Sequence, residues 1–220
     1  MKNVGVILSG CGVFDGSEIH EATLAILYLD QAGANIQFFA PDKAQHHVVD
    51  HLAQAPMEEF RNVLKESARI ARGNIKPLSE INLDELDAVI FPGGLGAAKN
   101  LCSYAFDGTS CSIDPDAEKA IQSALEKKKV IGCICIAPVL VARALKDTGA
   151  RPKLTIGNDE STMQHLRQLN AEPVEAAVFE AVVDEKNRIV STPAYMLGQR
   201  ISEVAAGIEK LVERVISLCG

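Results

Sequence analysis

The fold class this sequence predicts is doubly wound α/β, with a mostly parallel sheet flanked by helices on both faces. Three observations predict it. The short apolar runs at Val4–Leu8, Ala88–Phe91 and the stretch from Val130 have the continuous hydrophobicity of strands buried on both sides. Segments of helical period alternate with these runs, which argues for crossover connections in one sheet. Loops follow three of the runs, at Ser9–Ser17, Pro92–Gly96 and Cys135–Pro138, and parallel α/β sheets bind ligands at that edge.

Val4–Leu8 reads as the first strand. Ser9-Gly10-Cys11-Gly12 is a loop whose glycines allow tight turning and close approach to a ligand. Ser17 is placed as the N-cap of the first helix, with Glu18 and Glu21 in its first turn. Ile19, Ala22, Ile26 and Leu29 form the inner stripe of that helix, and Gly33 closes it. Ile36–Phe39 is a second strand, ended by Ala40-Pro41-Asp42. Residues 43–82 interrupt the alternation, with a helix expected near Met57–Arg72. No linker composition flanks them, so they read as an insertion in a single domain spanning 1–220.

Ala88–Phe91 runs directly into Pro92-Gly93-Gly94-Leu95-Gly96. Residues 97–114 read as irregular, and a helix over Asp116–Lys127 follows. Val130 opens a strand that changes to helical period at Ala137, Leu140, Val141, Ala144 and Leu145. Pro138 suits a first helical turn. Leu154–Ile156 reads as a strand and Thr162–Leu169 as a helix. Val178–Val183 and Ile189–Ser191 read as a hairpin around Glu185-Lys186-Asn187. Gln199–Leu218 is a clean amphipathic helix.

Composition excludes several classes. The 220 residues are 47% apolar and 23% charged, ordinary values for a globular domain with a large core. The net charge of −7 argues against a nucleic-acid surface. No segment nears the ~20 apolar residues that a membrane span needs. Val4–Leu8 is too short for a signal-peptide core. The six cysteines therefore read as reduced thiols of a cytoplasmic protein. Cys133 and Cys135 form C-x-C without partners at zinc spacing, which argues against a metal site.

Cys135 is the main candidate for chemistry. It falls at the joint of strand and helix, where unpaired N–H groups and the helix dipole favour thiolate. The same joint carries the nucleophile of hydrolases with an elbow. The plainer reading is a buried cysteine acting as a small hydrophobe, the role assigned to Cys133. Glu21 is either a surface charge complementing the helix dipole or an inward carboxyl beside the sulfur, able to hold or move a proton. Glu18, three residues earlier, is its partner or rival, and Cys11 in the first loop is a further candidate. Pro92-Gly93-Gly94 is either a tight turn or an oxyanion hole, in which the N–H of Gly93 or Gly94 acts with that of Ile136. His20 and His165 read as surface or structural residues.

The segments GVILSGCGVFDGSEIHEA from Gly5, FAPDK from Phe39, RNVLKESARIARG from Arg61, PGGLGAAKNL from Pro92, CIAP from Cys135, LTIGND from Leu154 and TPAYML from Thr192 resemble the ThiJ/PfpI superfamily of class I glutamine amidotransferase-like proteins. They span nearly the whole chain, including residues 43–82. The resemblance implies a flavodoxin-like sandwich, a nucleophile at Cys135 and an acidic partner at Glu21. It departs from the peptidase branch, where a His follows the Cys; here the residue is Ile136, so peptide hydrolysis lacks its base. A glutaminase triad is not recognisable either. The resemblance implies a cofactor-independent lyase: a glutathione-independent glyoxalase acting on small dicarbonyls, with deglycase chemistry of the same kind. It also implies an association with isoprenoid biosynthesis and a homodimer. The alternative is a non-enzymatic, redox-responsive regulatory or binding protein that uses the same cysteine.

Overall fold

The computed structural model describes residues 1–220. In chain order its elements are β1 (Asn3–Ile7), α1 (Ile19–Gln31), β2 (Asn35–Ala40), β3 (Val49–Asp50), β4 (Ala55–Pro56), α2 (Val63–Ile70), β5 (Lys76–Pro77), β6 (Ala88–Phe91), α3 (Leu95–Lys99), α4 (Tyr104–Asp107), α5 (Pro115–Glu126), β7 (Val130–Ile134), α6 (Ala137–Leu145), β8 (Lys153–Leu154), α7 (Glu160–Gln168), β9 (Glu172–Pro173), β10 (Val182–Asp184), β11 (Ile189–Thr192) and α8 (Ile201–Leu218). No helix is long and apolar enough to cross a membrane.

Seven strands form one sheet in the order β10-β11-β7-β6-β1-β2-β5. Every pairing is parallel except the β10–β11 hairpin. From β1 the chain winds outward through β2 to β5, then crosses back to β6 on the other side of β1. The order of strands therefore reverses between β1 and β6, and their C-terminal loops open there as the crevice of a doubly wound sheet.

Alternation along the strands divides the core between the two faces. Val4, Val6, Ala88, Ile90, Val130 and Val190 pack with α1 and α8 residues such as Ala25, Leu29, Ile208 and Leu211. Ile7, Val89, Phe91, Ile131, Cys133 and Ile189 pack with Ala117 and Ile121 of α5 and Leu140 and Val141 of α6. Helices on both faces explain why the central strands β6 and β7 carry no polar side chain except the Cys133 thiol.

Residues 43–82 differ from the expectation in detail. The helix expected at Met57–Arg72 shortens to Val63–Ile70. Asn62 caps it, its side chain accepting the Lys65 N–H at 3.0 Å. Upstream, the Met57 and Gln45 N–H groups bond to Val48 and Arg61 carbonyls, so this stretch is an extended arm. Phe60, which extends the helical period in the sequence, is fully exposed. The segment returns to the central sheet, where β5 pairs with β2 at Phe39↔Lys76 and Ala40↔Pro77. Leu154 also differs: β8 pairs only with β9, outside the large sheet. The segment 97–114, expected to be irregular, holds the short helices α3 and α4.

Candidate active site

β7 ends at Ile134 and α6 begins at Ala137 with Pro138 in its first turn, which leaves two residues to make the joint. Cys135 makes it with φ of +60°. That left-handed conformation costs a side-chain-bearing residue about 1–2 kcal/mol. Its N–H is held by the Thr192 carbonyl at 3.0 Å. The turn also redirects the side chain. Cys133 and Cys135 have the same parity in sequence, yet Cys133 packs with α5 and α6 while Cys135 joins the core beneath α1 and α8. Only 8% of Cys135 is exposed.

Glu21 reaches this sulfur from the first helix. The cap of α1 is Glu18, whose Oε2 accepts the Glu21 N–H at 2.7 Å. Ser17, expected in that role, instead accepts the Ser9 N–H at 2.9 Å and steadies the first loop. Glu21 is fully buried. Its Oε2 accepts the Gly93 N–H at 3.0 Å, its Oε1 accepts the Tyr195 N–H at 3.2 Å, and its carboxyl hydrogen-bonds with the Cys135 thiol. Glu18 therefore orients the helix start and leaves contact with sulfur to Glu21.

Burial, reinforced by the Glu18 charge, pushes the Glu21 carboxyl up to about 8, against the hydrogen bonds from Tyr195, Cys135 and Gly93. Burial and the Glu21 charge push the Cys135 thiol well above its ordinary range, while the Gly94 and Ile136 N–H groups pull it down. The expected dipole-stabilised thiolate is therefore not the resting form. Desolvation of sulfur beside a carboxyl outweighs the start of α6. The two groups titrate as a pair. One negative charge is the most this pocket readily holds, with Gly93 and Tyr195 donating to its carboxyl end and Gly94 and Ile136 to its sulfur end.

The Pro92-Gly93-Gly94 loop is glycine for steric reasons. A Cβ on Gly93 would lie 2.5 Å from Cys135 Cβ and 2.6 Å from Glu21 Oε2. Gly94 has φ of +89°, and a Cβ there would lie 2.4 Å from the Glu18 backbone nitrogen. The loop thus packs backbone against both reactive groups. Gly93 spends its N–H on Glu21, so the donors facing the sulfur are Gly94 and Ile136 rather than Gly93.

Two further residues shape the site. Tyr195 supplies its N–H to Glu21 and its hydroxyl to His20 Nδ1 at 2.7 Å. It follows Ala194, which has φ of +45°, and in the sequence only the TPAYML segment marks it. His20, expected to be superficial, is exposed and holds the Tyr195 hydroxyl. Asn100 is 2% exposed and ties three segments together. Its Nδ2 donates to the Ser9 and Asp15 carbonyls at 2.8 and 2.9 Å, and its Oδ1 accepts the His46 N–H at 3.0 Å. Cys11 lies toward α2, its thiol raised by burial and by Glu66 and lowered by Arg69. His165 pairs with the Tyr104 hydroxyl at 2.7 Å. No group of three or more His, Cys, Asp or Glu gathers in a way that could hold a metal ion.

No protein-family model matches the chain. Curated relatives do. The rat ES1 protein homolog, mitochondrial, is 42% identical over 99% of this chain and 84% of its own. The human glutamine amidotransferase-like class 1 domain-containing protein 3, mitochondrial, is 42% identical over 99% of this chain and 83% of its own. A crystal structure of an isoprenoid biosynthesis protein with amidotransferase-like domain from Ehrlichia chaffeensis matches with TM-score 0.91 and 39% identity, covering 98% of this chain and 99% of that one. A ThiJ/PfpI domain protein from Brachyspira murdochii, 18% identical with TM-score 0.58 over 98% and 96% of the two chains, shares the fold alone. The cytoplasmic compartment expected from the thiols is overturned by the relatives' names, both of which say mitochondrial. Unpaired cysteines indicate reducing surroundings and do not distinguish one reducing compartment from another. With 42% identity along nearly its whole length and the class I glutamine amidotransferase-like fold, the chain belongs to the ES1 family.

Proposed function

We propose that the protein is a glutathione-independent glyoxalase of the ElbB kind, converting glyoxal to glycolate and methylglyoxal to lactate. The observation that carries this reading is the contact of a buried, proton-bearing Glu21 with Cys135 at a strained elbow. Glyoxalase chemistry needs a sulfur nucleophile and one group that alternately gives and takes a proton. Glu21, in its carboxylate form, takes the Cys135 thiol proton as the sulfur attacks the aldehyde carbon and passes it to the oxygen that gains charge, giving a hemithioacetal. Glu21, now carboxylate, removes the hydrogen from that carbon. It returns the proton to the neighbouring carbon through an enediol, leaving a thioester on Cys135. Water then releases the hydroxy acid and restores the thiol. The Gly94 and Ile136 N–H groups stabilise the developing oxyanion. A carboxyl near 8 suits this exchange at neutral pH, because both of its protonation states are accessible. Release of an α-dicarbonyl adduct from an amine, the deglycase reaction, begins with the same attack.

The association with isoprenoid biosynthesis is supported by the description of the Ehrlichia chaffeensis protein. The proposal includes a homodimer, checked by sedimentation. The test of function is proton NMR of methylglyoxal incubated with the protein and no added thiol. Lactate should accumulate catalytically with the parent chain and not with Cys135→Ala. Equal rates for the two would remove Cys135 as the nucleophile. A redox-responsive regulator using the same sulfur would instead be oxidised stoichiometrically by peroxide at Cys135 and leave the dicarbonyl untouched.

A further inference from the structure

On the opposite face of the sheet from Cys135, two other cysteines meet. Cys102 follows α3 and forms an isolated antiparallel bridge with Ile113. The bridge is framed by hydrogen bonds from Ser103 N–H to the Ser112 carbonyl at 3.0 Å and from Asp114 N–H to the Leu101 carbonyl at 2.8 Å. Cys102 and Ile113 are thus a closely spaced, non-hydrogen-bonded pair. Cys111, two residues before Ile113, shares that side of the ribbon and is the diagonal neighbour of Cys102. The Cys102 thiol donates to the Ala97 carbonyl at 3.3 Å and lies within hydrogen-bonding reach of the Cys111 thiol. Cys102 belongs to the core beneath α5 and α6, whereas Cys135 lies in the other core.

An opening at Cys102 and a positive charge at Cys111 accompany this contact. Cys102 lines a surface cavity of about 220 Å³, with Lys43, Lys99, Asn100, Ser103 and Asp114 around it, while Cys111 is 1% exposed and lies outside that lining. Arg143 donates from Nε to the Cys111 carbonyl at 2.9 Å, bringing its charge beside that residue. The contact with the Cys102 thiol, aided by Arg143, pulls the Cys111 thiol down to about 7 against burial. The same contact, followed by burial, pushes Cys102 up. The two sulfurs are therefore unlike, which is what an attacking and a resolving cysteine require.

We propose that Cys102 and Cys111 form a second thiol centre, independent of Cys135, that reduces a hydroperoxide and closes into a disulfide. Cys111 sulfur attacks a peroxide oxygen. The S–O bond forms as the O–O bond breaks, and the departing oxygen leaves as water with the thiol proton. Cys102 sulfur then attacks the Cys111 sulfenic acid. The S–S bond forms, the S–O bond breaks, and the hydroxyl leaves as water with the Cys102 proton. Two thiols supply two electrons, and one hydrogen peroxide becomes two waters. The bond closes residues 103–110 into a loop that begins just past α3, whose first turn follows Gly94.

The experiment treats the full chain with a few equivalents of hydrogen peroxide, alkylates it and maps the peptides by mass spectrometry. The expected result is a linked Cys102–Cys111 peptide lighter by two hydrogens, with two of the six free thiols lost. It should form to the same extent in Cys135→Ala. In Cys102→Ser, dimedone should trap a sulfenic acid at Cys111. Failure of the link to form in the parent chain, or its dependence on Cys135, overturns the proposal. So does an absence of the Cys111 adduct in a Cys102→Ser chain that retains the parent circular dichroism spectrum. Loss of dicarbonyl turnover in Cys135→Ala is a separate readout, so either reading can fail without the other.

Discussion

Gly93 N–H donates to Glu21 Oε2 at 3.0 Å, so the loop that follows β6 is fastened to the acid that faces Cys135. With Tyr195 N–H on the other oxygen, the carboxyl is held at both ends and its freedom is confined to its proton. Glu21→Gln tests this. A glutamine can accept only one of the two N–H groups, and its amide nitrogen then faces the other donor. The expected cost is about 1–3 kcal/mol in urea unfolding, from one buried donor left unsatisfied. Dicarbonyl turnover should fall by about 10²–10⁴-fold through loss of the proton carrier. Undiminished turnover in a folded variant would show that the acid moves no proton.

The same carboxyl makes stability depend on pH. An ordinary carboxyl titrates near 4.5, whereas Glu21 in the folded chain is raised to about 8. Between these values the folded state binds the extra proton, so stability falls as pH rises through that window. The slope belongs to Glu21 and is absent from Glu21→Gln. Thermal midpoints measured from pH 5 to pH 8 should therefore decline more steeply in the parent than in the variant. Parallel curves would mean that the carboxyl is already ionised in the folded protein at pH 5.

Fold and site were legible to different degrees, for different physical reasons. The central strands were legible because a sheet covered on both faces favours continuous apolar runs, as in Ala88–Phe91 and Val130–Ile134. The elbow was legible because Pro138 marks a first helical turn immediately after a strand. The protonation state was not. It depends on how much water reaches Glu21 and Cys135, and that is settled by α8, β11 and the Pro92–Gly94 loop together. The different faces of Cys133 and Cys135 were hidden for a local reason, since a left-handed φ at a cysteine leaves no trace in residue type. Phe60 misled in the opposite way. It continues a helical period that the extended arm, pairing with residues 45–48, overrides.

Gly93→Ala probes the fit of loop to reactive pair. A methyl group there meets Cys135 Cβ at 2.5 Å, Glu21 Oε2 at 2.6 Å and the Ile134 carbonyl at 2.9 Å. None of these is the free end of a flexible chain, so the loop must withdraw and loosen its N–H from Glu21. An overpacking cost of about 1–3 kcal/mol is expected, with turnover falling by at least as much as in Glu21→Gln. Gly33→Ala is the control. It has a positive φ, +70°, which Gly93 does not, and open space around it, so it should lose stability without losing turnover. Comparable turnover losses in both variants would point to general loosening rather than to the contact with the pair.

Asn100→Leu tests whether the first loop needs its tether. The replacement is close in volume but strips two carbonyls and one N–H of their partners, all within a side-chain position that is 2% exposed. Leaving such groups unpaired costs about 1–3 kcal/mol each where water cannot reach them, so a total loss above about 3 kcal/mol is expected. Asn100→Asp separates shape from donation: it still accepts from His46 but donates to neither Ser9 nor Asp15. Because Ser17 and Glu18 lie at the end of the tethered loop, both variants should speed amide hydrogen exchange at Cys11–Ser17. They should also lower kcat for the dicarbonyl, with Asn100→Asp intermediate. Unchanged exchange in that loop, alongside a normal kcat, would leave Asn100 a residue of the core with no hold on the position of Glu21.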